Sequence, residues 1–264
     1  MTAIAENKAN TPFGTIHSAS PVLVNTAMAL LAGFAIATML QQVDPRLFNG
    51  VNVWEKPAKF FLSLSLHAAT LGWGLSLLPD LEQHKPGVRR AAWFFAAAAA
   101  LEMIWIAWYA SQGQASHFNR TDPVAMAIYP LMGIVAVSLT AITVFAGWRI
   151  LRRGTSVMAY AAGSGFILAG VLTTIVAGYM SSQTGHSVSG AMTDETGLLF
   201  LRWSTTGGDL RPAHFAALHI AQAVPFVAWI WPDRRVVRLS LLVSALIVAA
   251  LFFQALAGIP FLRA

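Results

Sequence analysis

Cysteine is absent from this chain, which excludes disulfides, thiolate metal sites, cysteine nucleophiles and iron–sulfur clusters. Charge is scarce, and that excludes more. Of 264 residues, 17 are Lys or Arg and 11 are Asp or Glu, so 11% are charged. An ordinary soluble domain carries ~25% to clothe its surface. Hydrophobic residues reach 56%, and mean hydropathy is +0.61. A soluble globule, a disordered chain and a coiled coil do not fit that balance; a polytopic membrane protein does. The net charge of +6 comes without a basic stripe or an RNA-binding signature, so no nucleic-acid partner is expected. Residues 1–20 lack the basic start and short apolar core of a secretory signal, and read as a cytoplasmic N-terminal tail.

Seven apolar runs approach the ~20 residues that cross a bilayer: 21–42, 57–78, 89–111, 123–148, 157–181, 212–231 and 236–262. The expected fold is all-α, one seven-helix transmembrane bundle over residues 21–262, with a long outer loop at 182–211. Three short loops alternate along the chain and each hold three basic residues: Lys85, Arg89, Arg90; Arg149, Arg152, Arg153; Arg234, Arg235, Arg238. The positive-inside rule makes these cytoplasmic. The protein is then a multi-pass inner or plasma membrane protein, N-terminus inside and C-terminus outside, with membrane lipids as neighbours. Ala159, Gly163, Gly165, Ala169 and Gly170 give the fifth span a surface for close helix contact.

The polar residues concentrate on the predicted outer side. His117 and His186 fall in outer loops, His214 begins the sixth span, and His67 and His219 lie within spans two and six. At 1.5 Å per helical residue, His67, Glu102 and His219 share a stratum roughly 10–15 Å below the outer boundary. Ionisable groups at such depth are costly and face a cavity or a partner. Ser63 and His67 share a helix face at i,i+4, with Lys59 and Glu55 extending the row outward; His219 and Gln222 share one at i,i+3. In the segment GGDLRPAHF, Asp209 is placed to cap the coming helix, with Pro212 in its first turn. Asp209 is equally placed to orient His214 or His117, and Arg211 to hold an anionic group.

Neutral imidazoles with a carboxylate are the ligands of zinc or non-haem iron, whose bound water is a nucleophile near neutral pH. On that reading His67, His214, His219 and Glu102 are metal ligands. Glu102, Asp209 and Ser63 are the catalytic candidates, and Lys59, Arg211 and Gln222 bind cofactor or substrate. The expected activity is that of a metal-dependent membrane hydrolase or oxidoreductase acting on a lipidic or amphiphilic substrate, with a small-molecule or lipidic ligand as its partner. A serine four before a histidine on the second helix, an acid on the third and two late histidines loosely resemble the alkaline ceramidase and adiponectin-receptor superfamily of zinc amidases. There the late pair is HxxxH on the seventh helix; here His214 and His219 are HxxxxH on the sixth. Two alternatives stand beside the metal enzyme. His67 and His219 could ligate b-type haem from two helices, or the pocket could serve a small-solute or proton-coupled transporter or receptor. Retinal is excluded, because the seventh span has no lysine.

Overall fold

The computed structural model describes residues 12–183, 185–190, 193–195 and 197–263. The described chain is helical apart from one hairpin and the loops. In order it runs α1 (Pro12–Ala19), α2 (Pro21–Val43), β1 (Leu47–Phe48), β2 (Val51–Asn52), α3 (Glu55–Ser76), α4 (Asp80–Gln83), α5 (Pro86–Ser111), α6 (Pro123–Arg153), α7 (Val157–Ser182), α8 (Arg211–Ile230) and α9 (Arg234–Leu256). The seven long helices coincide with the seven apolar runs. Residues 1–11 of the expected tail lie outside the described residues. Residues 12–19 form α1, which packs against α3.

Six of the long helices are long and apolar enough to cross a membrane, so the chain is an all-α polytopic membrane bundle. The exception among the seven expected spans is α3, whose sequence carries Glu55, Lys56, Lys59, Ser63, Ser65, His67 and Thr70. Its packing accounts for that polarity. α3 is flanked by α1, α2, α5 and α6, and Ala58, Ala68, Leu71 and Leu75 are buried at its contacts. A helix so enclosed shows little of itself to lipid and does not need an apolar circumference.

The second half of the bundle is a closely packed set, α6 against α7, α7 against α8, and α9 across both α7 and α8. Glycine permits the α6–α7 approach. A Cβ on Gly147 would stand 2.7 Å from the Gly163 carbonyl oxygen, and one on Gly163 would stand 2.7 Å from the Leu151 nitrogen. The close-contact surface expected of the fifth span is thus used, with Ala159, Gly163, Gly165, Ala169 and Gly170 all buried on α7. Asp122, Ser156 and Asp233 cap α6, α7 and α9 by accepting backbone N–H groups.

The two ends of the bundle differ. At the basic end, Glu82 gathers Lys85 at 2.5 Å, Arg153 at 3.9 Å and Arg149 at still closer range, tying the α3–α5 turn to the end of α6. At the loop end, Asn49 and Gly50 both adopt positive φ and close the β1–β2 hairpin, the two-residue turn that Asn-Gly favours. The Asn49 carbonyl accepts from the Asp194 N–H at 3.2 Å and the Thr193 hydroxyl at 3.0 Å, so the hairpin anchors the long loop.

Candidate functional site

The loop end is organised by charge. Glu55, at the start of α3, accepts from Lys59 at 2.9 Å and pairs two-pronged with Arg202 of the long loop at 2.9 and 3.0 Å. Asp209 is fully enclosed. It accepts from the Ser204 and Arg211 N–H groups at 2.9 Å each and grips the Arg211 guanidinium at 2.8–3.0 Å. The cap position of α8 is Leu210, which has no side-chain cap, so Asp209 is not the expected cap; it meets the Arg211 N–H from one residue further out. Arg211 also reaches Asp194 at 2.8 Å, and His186 stands between Asp194 and Asp209 at 3.9 and 3.8 Å. Burial, then the Arg211 charge, hold the His186 ring below its usual range against the pull of both aspartates. Asp209 thus faces His186 and Arg211, and neither His214 nor His117. Lys59 and Arg211, expected to hold a ligand, are engaged in these pairs.

Beneath the loop lies a second group. His117, in the α5–α6 connection, accepts at Nδ1 from Lys56 at 3.3 Å and from Ser116 at 3.0 Å. Burial, followed by the Lys56 charge, holds the imidazole well below its usual range, so it is a neutral base. Lys56 precedes the apolar stretch that begins at Pro57. Burial lowers its ammonium to about 8, with Lys59 and Arg211 adding to the effect and Asp194 and Glu102 opposing it. Lys56 is absent from the residues that sequence reasoning selected. A signal was present: Lys56, Ser63 and His67 stand at i, i+7 and i+11, one face of a helix.

The deepest group is a crevice where α3, α6, α7 and α8 meet, with about 20 Å³ of internal space. Ser63 and His67 line it from α3, and His219 and Gln222 from α8. Thr140 and Thr143 of α6 and Thr173 of α7 complete its polar wall, with Leu66, Leu218, Ala169 and Ala221 as apolar lining. The hydrogen bonds set the imidazole protons. Thr143 donates its hydroxyl to the Leu139 carbonyl at 2.9 Å, so its oxygen accepts from His67 Nε2–H at 2.8 Å. Thr70 donates to the Leu66 carbonyl at 2.7 Å and accepts from Gln222 Nε2 at 2.9 Å. That orients Gln222 so that its Oε1 accepts from His219 Nδ1–H at 3.2 Å. His67 Nδ1 and His219 Nε2 therefore keep lone pairs with no partner among the described residues. The Thr173 hydroxyl is buried and likewise without a partner there.

Four of the predicted site residues thus meet in one place: Ser63, His67, His219 and Gln222. Glu102 does not join them. It is buried on α5, one carboxylate oxygen has no partner among the described residues, and Lys56 is the charged group acting on it. His214 lies more than a turn before His219 on α8 and is outside the crevice lining. Among the described residues no group of three or more His, Cys, Asp or Glu is arranged to hold a metal ion. The ligand set expected from sequence is therefore not assembled; the crevice provides two imidazoles. The threonines were missed because sequence reasoning weighed ionisable groups, and a helical threonine is usually satisfied by its own helix.

Set beside known proteins, the chain matches no family model, no curated protein and no solved structure. Its function is therefore argued from the chemistry of these three groups.

Proposed function

We propose that the protein is a membrane-embedded binding protein of the receptor or transporter class. It takes a small polar solute, rich in N–H or O–H donors, into the crevice between α3, α6, α7 and α8. The observation that carries this reading is the set of unused polar atoms in one crevice: the buried Thr173 hydroxyl, with the part-buried ring nitrogens His67 Nδ1 and His219 Nε2 beside it. Buried polar groups are normally satisfied, and leaving one unmet costs roughly 1–3 kcal/mol. A solute that donates to the two imidazoles and pairs with Thr173 recovers that energy on binding. The internal space of the crevice, about 20 Å³, holds a group little larger than a water molecule unless side chains move, so the solute is a very small one.

The test uses the full chain in lipid nanodiscs, with methylamine, urea and glycerol as probes. One or more of them should raise the thermal unfolding midpoint, and His219→Phe and Thr173→Val should each remove the shift. Three solutes without effect on the wild type would overturn the reading.

A second reading rests on the same two histidines. Imidazoles from different helices are a ligand pair for b-type haem. They would also supply two of the three protein ligands that a catalytic zinc generally takes. A Soret band in the purified protein, or stoichiometric zinc or iron by elemental analysis, would favour this reading over solute binding.

A further inference from the structure

Lys56 differs from the other described lysines. Lys59 is held by Glu55 at 2.9 Å and Lys85 by Glu82 at 2.5 Å. Lys56 has no carboxylate within salt-bridge distance among the described residues. Its Nζ donates to His117 Nδ1 at 3.3 Å and lies 5.8 Å from the centre of the Phe60 ring. Ser116, itself buried, places its hydroxyl 3.0 Å from the same Nδ1, and the ammonium, having donors only, makes that nitrogen the acceptor facing it. The charges around the amine are Lys59 on its own helix, Arg211 from α8, Glu102 from α5 and Asp194 from the long loop. A lysine drawn partly out of water against an aromatic ring, with an imidazole and no carboxylate as its close partner, is one construction of a nucleophilic amine.

We propose that Lys56 is a reactive amine at the loop end of the bundle, condensing with a small aldehyde or ketone while His117 relays the proton. The amine lone pair attacks the carbonyl carbon; a C–N bond forms as the C=O π pair moves to oxygen. One Nζ proton passes to His117 and on to that oxygen, giving a carbinolamine. The hydroxyl then leaves with the second Nζ proton as water, and a C=N bond remains. Neither oxidant nor reductant is consumed. With Lys56 near 8, about a tenth of it is neutral at pH 7, against under about one part in a thousand for an ordinary lysine near 10.4. This site is separate from the crevice, and the solute-binding reading stands or falls independently of it.

The experiment treats the full chain in nanodiscs with acetaldehyde and cyanoborohydride, which reduces the imine to a stable N-ethyl group, and maps the product by peptide mass. At pH 7, Lys56 should be ethylated about tenfold faster than the exposed amine of Lys85. The rate should level off above a midpoint near pH 8. His117→Gln should slow Lys56 several-fold without changing Lys85, and Lys56→Arg should remove the adduct while the protein keeps its elution volume. Slower labelling of Lys56 than of Lys85, a rate still climbing beyond pH 9, or indifference to His117→Gln would each overturn the proposal.

Discussion

At the scale of single residues, protonation and hydrogen-bond direction decide what the chain can do. His67 illustrates it. Its Nε2–H is committed to Thr143, so replacing Thr143 with Val leaves that donor unmet inside the bundle. The expected cost is roughly 1–3 kcal/mol, read as a lower denaturation midpoint in mixed micelles, whereas Thr38→Val, at an exposed position of α2, should be near neutral. Histidines of this kind were visible in the sequence because ionisable residues in apolar runs are rare. Gln222 was legible from its i,i+3 spacing to His219, but the threonine partners were not, because threonines stand in helices throughout the chain and only tertiary contact singles out Thr143 and Thr70. A pH effect belongs to the same scale. His117 is held neutral in the fold, below the ~6.5 of an unfolded histidine. Below that value the unfolded chain takes up the proton first, so its contribution to stability is complete above about 6.5 and declines as pH falls through and beyond it. The thermal midpoint should therefore drop between pH 7.5 and 5.5 by more in the wild type than in His117→Gln. Equal drops in the two proteins would count against the assignment of His117 as a buried neutral base.

At the scale of elements, hydropathy located every long helix, since crossing a bilayer imposes length and apolarity on each span independently. It was less informative about how helices meet. α3 was expected to be a span like the rest, yet its place among α1, α2, α5 and α6 lets it carry the polar face that supplies Lys56, Ser63 and His67. The Asn49-Gly50 hairpin was not read from the sequence, and its role as an anchor for the long loop depends on contact with Thr193 and Asp194, some 140 residues away in sequence. Glycine patterning on α7 was more telling, because close backbone approach demands the missing side chain. Gly163→Ala would place a methyl 2.7–2.9 Å from three backbone atoms of α6. Neither helix can yield there, and overpacking of that kind costs roughly 1–3 kcal/mol. Gly133→Ala on α6, where a Cβ meets nothing within 4 Å, is the matched control and should be neutral or slightly stabilising. Comparison of the two variants by thermal unfolding separates helix packing from the general effect of adding alanine.

At the scale of the whole molecule, the scarcity of charge becomes an asymmetry. Lys85, Arg89, Arg90, Arg149, Arg152, Arg153, Arg234, Arg235 and Arg238 gather at one end, with Glu82 as the hub for three of them. The opposite end has the hairpin, the long loop and a lattice in which acids and bases are matched, Glu55 with Lys59 and Arg202, Asp194 and Asp209 with Arg211. Unmatched positive charge resists transfer across the membrane during insertion, so the basic end should face the cytoplasm and the lattice the outside. The crevice and Lys56 would then be reached from the outer side in a cell, although the nanodisc experiments, open on both faces, do not depend on it. The cysteine-free chain makes the orientation directly measurable. Single cysteines introduced by Arg120→Cys in the α5–α6 connection and by Leu81→Cys beside Glu82 fall at exposed positions of opposite ends. In intact cells a membrane-impermeant maleimide should label the first and spare the second, and permeabilisation should make both reactive. The inverse pattern would turn the molecule over and place both candidate sites toward the cytoplasm, while leaving their internal chemistry as described.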